Sequence, residues 1–187
     1  MITRARTLFL PILFACIFSV ACSSSAPTTS GILLPYRRHT RNIATPIIFE
    51  GRVVGVQDGD TIEVLDSANA NHRIRLLGID APEKDQAFGT RSGQNLSQAI
   101  FNKVVRIAWS KHDRYGRIVG KVTFGSQDVC LEQIRAGMAW HYKYFQEDQT
   151  PDDRQLYADA EITARVDQVG LWTESDPIPP WEFRRRR

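Results

Sequence analysis

The feature that most constrains this chain is a succession of three short segments rich in β-branched residues. They cover Ile48 to Gln57, Thr61 to Leu65 and His72 to Ile79. Asp58-Gly59 and the polar cluster from Asp66 to Asn71 separate them, and residues of these types favour turns. The pattern predicts three consecutive strands in a meander.

Helices and two more strands follow this meander. Apolar residues at helical spacing predict a helix from Thr90 to Asn102, and two further β segments run from Lys103 to Ser110 and from Ile118 to Phe124. Five strands interleaved with helices predict an α+β, mainly β, fold. We expect a five-stranded OB-type barrel with about three helices.

Two later helices carry recognisable start signals. Asp128 is a suitable N-cap for a short helix that runs to Arg135 and ends at Gly137. Thr150 is a suitable N-cap for the last helix, which we expect Gly170 to close.

The N-terminus has the pattern of an export signal. Arg4 and Arg6 precede an almost uncharged apolar run, from Leu8 to Ala21, that is too short for a comfortable membrane span. We therefore predict a signal peptide at residues 1–21, with an uncleaved signal anchor as the alternative.

Two cleavage routes remain open. Ser19-Val20-Ala21 suits an ordinary signal peptidase, whereas Ala21-Cys22-Ser23 resembles a bacterial lipobox, in which Cys22 is acylated. The chain is then either a cell-envelope lipoprotein with an N-terminal lipid anchor in the membrane, or a secreted or periplasmic protein. We favour the lipoprotein.

The rest of the chain divides by composition into a flexible tether (22–44), a domain (45–174) and a C-terminal tail with a basic end (175–187). Only Cys130 remains inside the domain, where we expect a small buried hydrophobe. Of the 24 Lys and Arg residues, nine lie before Thr45 or after Phe183. The 15 left face 21 acidic residues, a net charge near −6, so general basicity does not indicate nucleic-acid binding.

Three polar clusters lie at consecutive strand ends. They are Asp58-Gly59-Asp60-Thr61, the run from Arg75 to Glu83, and Asp113-Arg114-Tyr115-Gly116-Arg117. Each alone could be a turn or a charged loop, but a barrel brings strand ends together. Crowded carboxylates are costly without a cation, and an all-oxygen set favours Ca²⁺ or Mg²⁺ over zinc. Two arginine forks suited to phosphate oxygens complete a device for phosphoryl transfer to water.

In order and spacing, these clusters resemble the motifs of the staphylococcal nuclease (thermonuclease) family, over roughly Phe49 to Trp172. The resemblance implies an OB barrel with three helices and a Ca²⁺ ion. It implies that Asp60 and Asp80 ligate the metal through carboxylates, that Ala81 does so through its carbonyl, and that Asp58 is an acidic neighbour of the site.

The same resemblance implies roles for the remaining polar residues. Glu83 would be the general base, and Arg75 and Arg117 would stabilise charge on the phosphate. Arg114 and Tyr115 would contact the substrate. The implied function is that of a Ca²⁺-dependent phosphodiesterase, an endonuclease on DNA with RNA as an open second substrate, and we expect a monomer.

Two other functions remain as alternatives. A catalytically inactive OB module would bind nucleic acid or a protein partner, but such a module would be expected to lose Glu83, an arginine or a metal carboxylate, and this chain retains them all. A structural envelope lipoprotein would explain the leader and leave the three clusters without a cause.

Overall fold

The structure of the protein is a computed structural model that describes residues 45–187. The predicted signal peptide (1–21), the tether (22–44) and the lipid acceptor Cys22 lie outside the described residues. They stay predictions.

Residues 45–187 contain eight strands, five of which form a closed barrel. The strands are β1 (Ile47–Val56), β2 (Thr61–Asp66), β3 (Asn71–Leu76), β4 (Ile79–Asp80), β5 (Val104–His112), β6 (Ile118–Phe124), β7 (Gln127–Asp128) and β8 (Trp140–His141). The barrel runs antiparallel in the order β3-β2-β1-β5-β6, and a parallel pairing of β3 with β6 closes it. The predicted α+β, mainly β, fold with a five-stranded OB-type barrel is confirmed.

The same part of the chain contains four α-helices and two 3₁₀ segments. The helices are α1 (Gly89–Ile100), α2 (Val129–Arg135), α3 (Pro151–Val166) and α4 (Pro180–Arg185), and the 3₁₀ segments are Lys143–Asp148 and Gly170–Thr173. None of the helices within residues 45–187 has both the length and the apolar character needed to cross a membrane.

Both predicted N-caps are confirmed. The Asp128 carboxylate accepts hydrogen bonds from the amides of Cys130 and Leu131, and the Thr150 hydroxyl accepts one from the amide of Asp153. These contacts satisfy amide groups that have no partner within the first turn of a helix.

The residue predicted to close the last helix is wrong by two positions: Gln168 closes it, not Gly170. α3 ends at Val166, because Gln168 adopts a left-handed conformation (φ +50°) that breaks the helical path. Gly170, also left-handed (φ +57°), instead opens the 3₁₀ segment beside Gly137. A Cβ atom on Gly170 would lie 2.3 Å from the Gly137 carbonyl oxygen, so this close approach requires glycine.

The main core fills the barrel and the space beneath the first two helices. Val53, Ile62 and Ile74 point into the barrel and are fully buried, and α2 adds Cys130 and Ile134. Burial raises the pKa of the Cys130 thiol to about 12, so the thiol stays protonated. The prediction of a small buried hydrophobe at this position is confirmed.

A second, smaller core holds the C-terminal part of the chain. Trp140, Leu171 and Trp172 are buried together, and Trp181 of α4 packs against them, with its ring centroid 5.6 Å from that of Trp140. Residues 175–187, predicted as a tail, thus include a helix that packs on the domain.

Candidate active site

The strand register brings the three polar clusters to one place. Arg75, at the end of β3, lies opposite Thr61 on β2 and Val119 on β6, at the seam where the barrel closes. The loops that precede β2 and β6 and the loop that follows β3 therefore converge near Arg75. All nine predicted site residues within the described range line one cleft of about 690 Å³: Asp58, Asp60, Arg75, Asp80, Ala81, Glu83, Arg114, Tyr115 and Arg117.

Arg75 is the centre of this arrangement. Its Nη1 lies 3.0 Å from Asp60 Oδ2, and its Nη2 lies 2.8 Å from Asp80 Oδ1. Nη1 also donates a hydrogen bond to the Ile79 carbonyl at 2.9 Å. Although burial opposes it, the charges of Asp60 and Asp80 raise the pKa of Arg75. The guanidinium is therefore charged and fixed in direction.

Three aspartates surround that guanidinium. Asp60 Oδ2 accepts a hydrogen bond from the Ala81 amide at 2.7 Å, and Asp58 Oδ1 accepts one from the Asp60 amide at 3.0 Å. Burial and the neighbouring charge of Asp60 raise the pKa of Asp58 to about 6, and burial raises the pKa of Asp80. Burial is the largest cause in both cases, and the negative charge of Asp60 raises both pKa values further.

The loop that carries Asp58 and Asp60 requires glycine between them. A Cβ atom on Gly59 would lie 1.7 Å from Ser92 Oγ and 2.7 Å from the Cβ of Ala81. Buried Gln133 donates a hydrogen bond to the Gly59 carbonyl at 2.8 Å. The loop is thus pressed against α1, which sets the positions of both carboxylates.

Arg117 is held by the turn that precedes it. Asp113 Oδ1 accepts hydrogen bonds from the amides of Tyr115 and Arg117, and Oδ2 accepts one from Arg117 Nε at 2.7 Å. Arg117 Nη1 donates to Thr61 Oγ1 at 3.2 Å, and that hydroxyl donates to Asp60 Oδ1 at 3.0 Å. One polar network therefore links Arg117 to the aspartates around Arg75.

Arg114 and Tyr115 lie at the mouth of the cleft. The Tyr115 side chain is 65% exposed, and the Arg114 guanidinium carbon lies 4.8 Å from its ring centroid. An exposed aromatic ring next to a cation is a suitable platform for a base and its phosphate.

Glu83 occupies the cleft edge and contacts a residue that the sequence analysis did not select. Arg184 of α4 places Nη1 2.7 Å from Glu83 Oε1 and Nη2 2.8 Å from Asp80 Oδ2. Because Arg184 begins a run of four arginines, the sequence analysis assigned it to the basic end of the tail. Trp181, three residues earlier, is the signal that could have indicated a packed segment there.

The cleft also includes two tyrosines that the sequence left unassigned. Tyr142 and Tyr144 stack with ring centroids 6.1 Å apart, and Tyr144 is 77% exposed. Tyr142 also stacks on Trp181, with ring centroids 5.4 Å apart. These rings add aromatic surface to the cleft that Tyr115 also lines.

The donor atoms suit a hard divalent cation. The carboxylates of Asp60 and Asp80 and the main chain beside them offer only oxygen, the ligand type that Ca²⁺ and Mg²⁺ prefer. Within residues 45–187, no group of three or more His, Cys, Asp or Glu side chains is arranged to hold a metal. A cation here would need main-chain, water or phosphate oxygens as well, which agrees with the main-chain contribution expected from Ala81.

The chain is similar in sequence to several known proteins. A model of the protein family described as "Staphylococcal nuclease homologue" matches residues 73–174. An uncharacterized endonuclease of Haemophilus influenzae is 40% identical over 135 residues, 72% of each chain. An uncharacterized endonuclease of Escherichia coli is 42% identical over 139 residues, 73% of this chain and 86% of its own. A micrococcal nuclease of Shigella flexneri is 38% identical over 146 residues, 73% of this chain and 81% of its own.

Proposed function

The chain belongs to the staphylococcal nuclease family, and on that premise we propose that it is a Ca²⁺-dependent phosphodiesterase that cleaves DNA internally. The observation that carries this proposal is the convergence of Asp60, Asp80, Glu83 and two arginines on one cleft. An inactive binding module would have no use for that combination of groups. RNA is the second substrate to be tested.

The arginines supply the electrostatic part of the proposed reaction. Arg75 lies on β3 and Arg117 lies in the loop between β5 and β6, and the hydrogen-bond network through Thr61 joins both to Asp60. Their orientation is set before substrate arrives, so little reorganisation accompanies the growth of charge on the phosphoryl oxygens. Planar guanidinium groups also match the spacing of two phosphate oxygens.

Glu83 is the proposed general base. Its carboxylate lies at the cleft edge, about one third exposed, where water can reach it. From that position it would accept a proton from the attacking water, and the carboxylates deeper in the cleft are paired with Arg75. Glu83 is thus accessible to water, whereas Asp60 and Asp80 are buried.

Asp60, Asp80 and the Ala81 carbonyl would hold Ca²⁺, with Asp58 as an acidic neighbour. Bound there, the cation would neutralise charge on the phosphate and orient it. The crowding of Asp58, Asp60 and Asp80 around one guanidinium supports cation binding, because the charge of Asp60 raises the pKa of both neighbouring carboxyl groups in addition to burial. Arg114 and Tyr115 would hold the flanking phosphate and base at the mouth of the cleft.

The test is digestion of plasmid DNA and of RNA in Ca²⁺, in Mg²⁺ and in chelator. We expect Ca²⁺ to support cleavage, chelator to abolish it and added Ca²⁺ to restore it. Mg²⁺ should substitute poorly, because it demands stricter octahedral geometry and releases its waters reluctantly. Full activity in chelator would rule out the metal assignment, and binding of DNA without cleavage under every condition would favour the inactive module.

For the N-terminal part we propose export, with Cys22 acylated and residues 22–44 serving as a tether to the envelope. The lipobox-like Ala21-Cys22-Ser23 supports this proposal. The alternative is cleavage after Ala21 by an ordinary signal peptidase and release of a free protein. We propose a monomer in either case.

A further inference from the structure

The last residues of the chain form a clasp over the cleft, which we define as residues 177–187. The clasp contains Pro177, Pro179 and Pro180, and its helix α4 is anchored by Trp181, which packs on Trp140 and stacks on Tyr142. The Gln86 side chain donates a hydrogen bond to the Ile178 carbonyl. The prolines restrict the backbone of this segment, and the Trp181 contacts fix its position beside the cleft.

Arg184 extends from this clasp onto two acidic residues. Its Nη2 lies 2.8 Å from Asp80 Oδ2, and its Nη1 lies 3.2 Å from Asp80 Oδ1 and 2.7 Å from Glu83 Oε1. The Asp80 side chain is only 1% exposed. Both of its oxygens are therefore covered, one by Arg184 alone and one by Arg184 together with Arg75.

The contacts of Arg184 with Asp80 and Glu83 are strong enough to compete with a bound cation. Although burial opposes it, hydrogen bonds to Asp80 and Glu83 raise the pKa of Arg184, so the guanidinium stays charged. Hydrogen bonds between ionised partners at 2.7–2.8 Å are among the stronger ones in proteins. Asp80 is also largely shielded from water, which weakens the competition from solvent.

A divalent cation and Arg184 cannot both bind the Asp80 carboxylate oxygens at the same time. Ca²⁺ binds oxygen at about 2.3–2.6 Å and needs open space for six to eight ligands. The guanidinium occupies the approach to that carboxylate and carries the opposite charge that Asp80 requires. Its contact with Glu83 additionally engages the proposed base.

We propose that Arg184 is an internal competitor for the cation: it binds the same carboxylates, Asp80 and Glu83, and metal uptake displaces it. This inference rests on the proposed function. The apparent affinity for a ligand falls by the fraction of molecules in the competent state. If about a tenth of the molecules are open, Ca²⁺ binds about tenfold more weakly than it would without the competitor.

The experiment compares the wild-type protein with Arg184→Gln by calorimetric titration with CaCl₂ in the absence of nucleic acid. Arg186→Gln is the matched control, because Arg186 lies on the same clasp, pairs only with Glu182 at 3.6 Å within residues 45–187, and is 62% exposed. We expect Arg184→Gln to tighten Ca²⁺ binding about tenfold and Arg186→Gln to leave it unchanged.

Thermal unfolding provides a second readout on the same proteins. In chelator, Arg184→Gln should melt below the wild type, because Asp80 and Glu83 lose their partner. Saturating Ca²⁺ should raise the Tm of Arg184→Gln by more than it raises that of the wild type, since a tighter ligand stabilises more.

The outcomes separate the inference from the function on which it rests. Equal or weaker Ca²⁺ binding by Arg184→Gln, with clear binding by the wild type, overturns the competitor and leaves the nuclease assignment intact. Tighter binding by Arg186→Gln as well would make the effect one of general charge and would also overturn it. If neither the wild type nor Arg184→Gln takes up Ca²⁺, the proposed Ca²⁺ dependence fails, and the inference fails with it.

Discussion

At the scale of single residues, the proposed reaction depends most directly on the Glu83 carboxylate. Glu83→Gln keeps the shape of the side chain but removes the base. Because general-base catalysis contributes about 10²–10⁴-fold, kcat should fall by that factor. The Tm should change little, since the carboxylate is partly exposed and its ion pair with Arg184 is accessible to solvent.

The measurement is steady-state cleavage of DNA together with thermal unfolding. Glu132→Gln is the control, because Glu132 pairs with Arg135 on the surface of α2, outside the cleft. Unchanged kcat in Glu83→Gln would end the mechanism as proposed. A large fall in Tm with normal turnover of the folded fraction would instead indicate that Glu83 only braces its loop.

Arg117→Lys tests geometry separately from charge. Arg117 uses Nε to bind Asp113 and Nη1 to bind Thr61, and a lysine ammonium cannot keep both contacts while facing a phosphate. Loss of one preorganised donor at a developing charge costs about 10²–10³-fold in kcat, and we expect a fall in that range. Arg135→Lys is the matched control, and equal activity of the two variants would show that charge alone suffices.

The meeting of the three polar clusters in one cleft was predictable from sequence, because each cluster is local and lies at the end of a barrel strand. Once β3 pairs with both β2 and β6, the loops that lead into β2 and β6 must meet the loop that follows β3, close to Arg75. Arg184 was not predictable in the same manner. It reaches Asp80 across 104 positions of sequence, and a run of four arginines looks the same whether it is solvated or bound.

At the scale of elements, the two confirmed N-caps should contribute different amounts to stability, because they make different contacts. Thr150 caps α3 through one hydrogen bond to Asp153. Asp128 caps α2 and also accepts a hydrogen bond from the Tyr157 hydroxyl at 2.8 Å. Tyr157 is fully buried, so without Asp128 its hydroxyl would lose that partner inside the protein.

Thr150→Ala should therefore lower the free energy of unfolding by about 1 kcal/mol. Asp128→Ala should lower it by roughly 2–4 kcal/mol, because the loss of a cap adds to the cost of an unsatisfied buried hydroxyl. Denaturant unfolding of both variants measures the difference. Equal losses would mean that the Tyr157 contact contributes nothing beyond the cap.

Helix starts were easier to predict than helix ends in this chain. An N-cap is a local hydrogen bond between a short polar side chain and amides two or three residues on, and Asp128 and Thr150 both show that pattern. The end of α3 is set by contacts that the sequence does not display, since the chain turns at Gln168 to bring Gly170 against Gly137. Likewise, α4 forms where Trp181 finds its aromatic neighbours.

At the scale of the whole molecule, overall charge does not favour nucleic acid. The region from Thr45 to Phe183 carries a net charge near −6, and the cleft itself mixes six carboxylates with five cations: Arg75, Lys111, Arg114, Arg117 and Arg184. Attraction of nucleic acid is therefore expected to be local and short in range, within a Debye length of about 8 Å at physiological salt. This agrees with the sequence-based conclusion that overall basicity is not what indicates the function.

A chain reduced to residues 45–187 should fold and cleave DNA with the same kcat as the longer chain. The first strand begins at Ile47, and the barrel, the cleft and the clasp all lie within that range. Circular dichroism and plasmid digestion measure the two properties. Failure to fold would mean that residues before Thr45 contribute to the domain and that the predicted boundary is misplaced.

The last prediction concerns the proposed export of the chain and its retention at the envelope. If Cys22 is acylated, cells fed labelled palmitate should incorporate the label into the wild-type protein, and Cys22→Ala should lose the label and be released. Each buried methylene of an acyl chain contributes about 0.8 kcal/mol, and stable anchoring needs more than one chain, which a diacylated cysteine satisfies. Cys130→Ala is the control: Cys130 is fully buried and its thiol stays protonated, so this variant should keep the label. Label that persists in Cys22→Ala would place the modification elsewhere. A wild-type protein without label, found free outside the membrane, would instead favour cleavage after Ala21 and overturn the lipoprotein proposal.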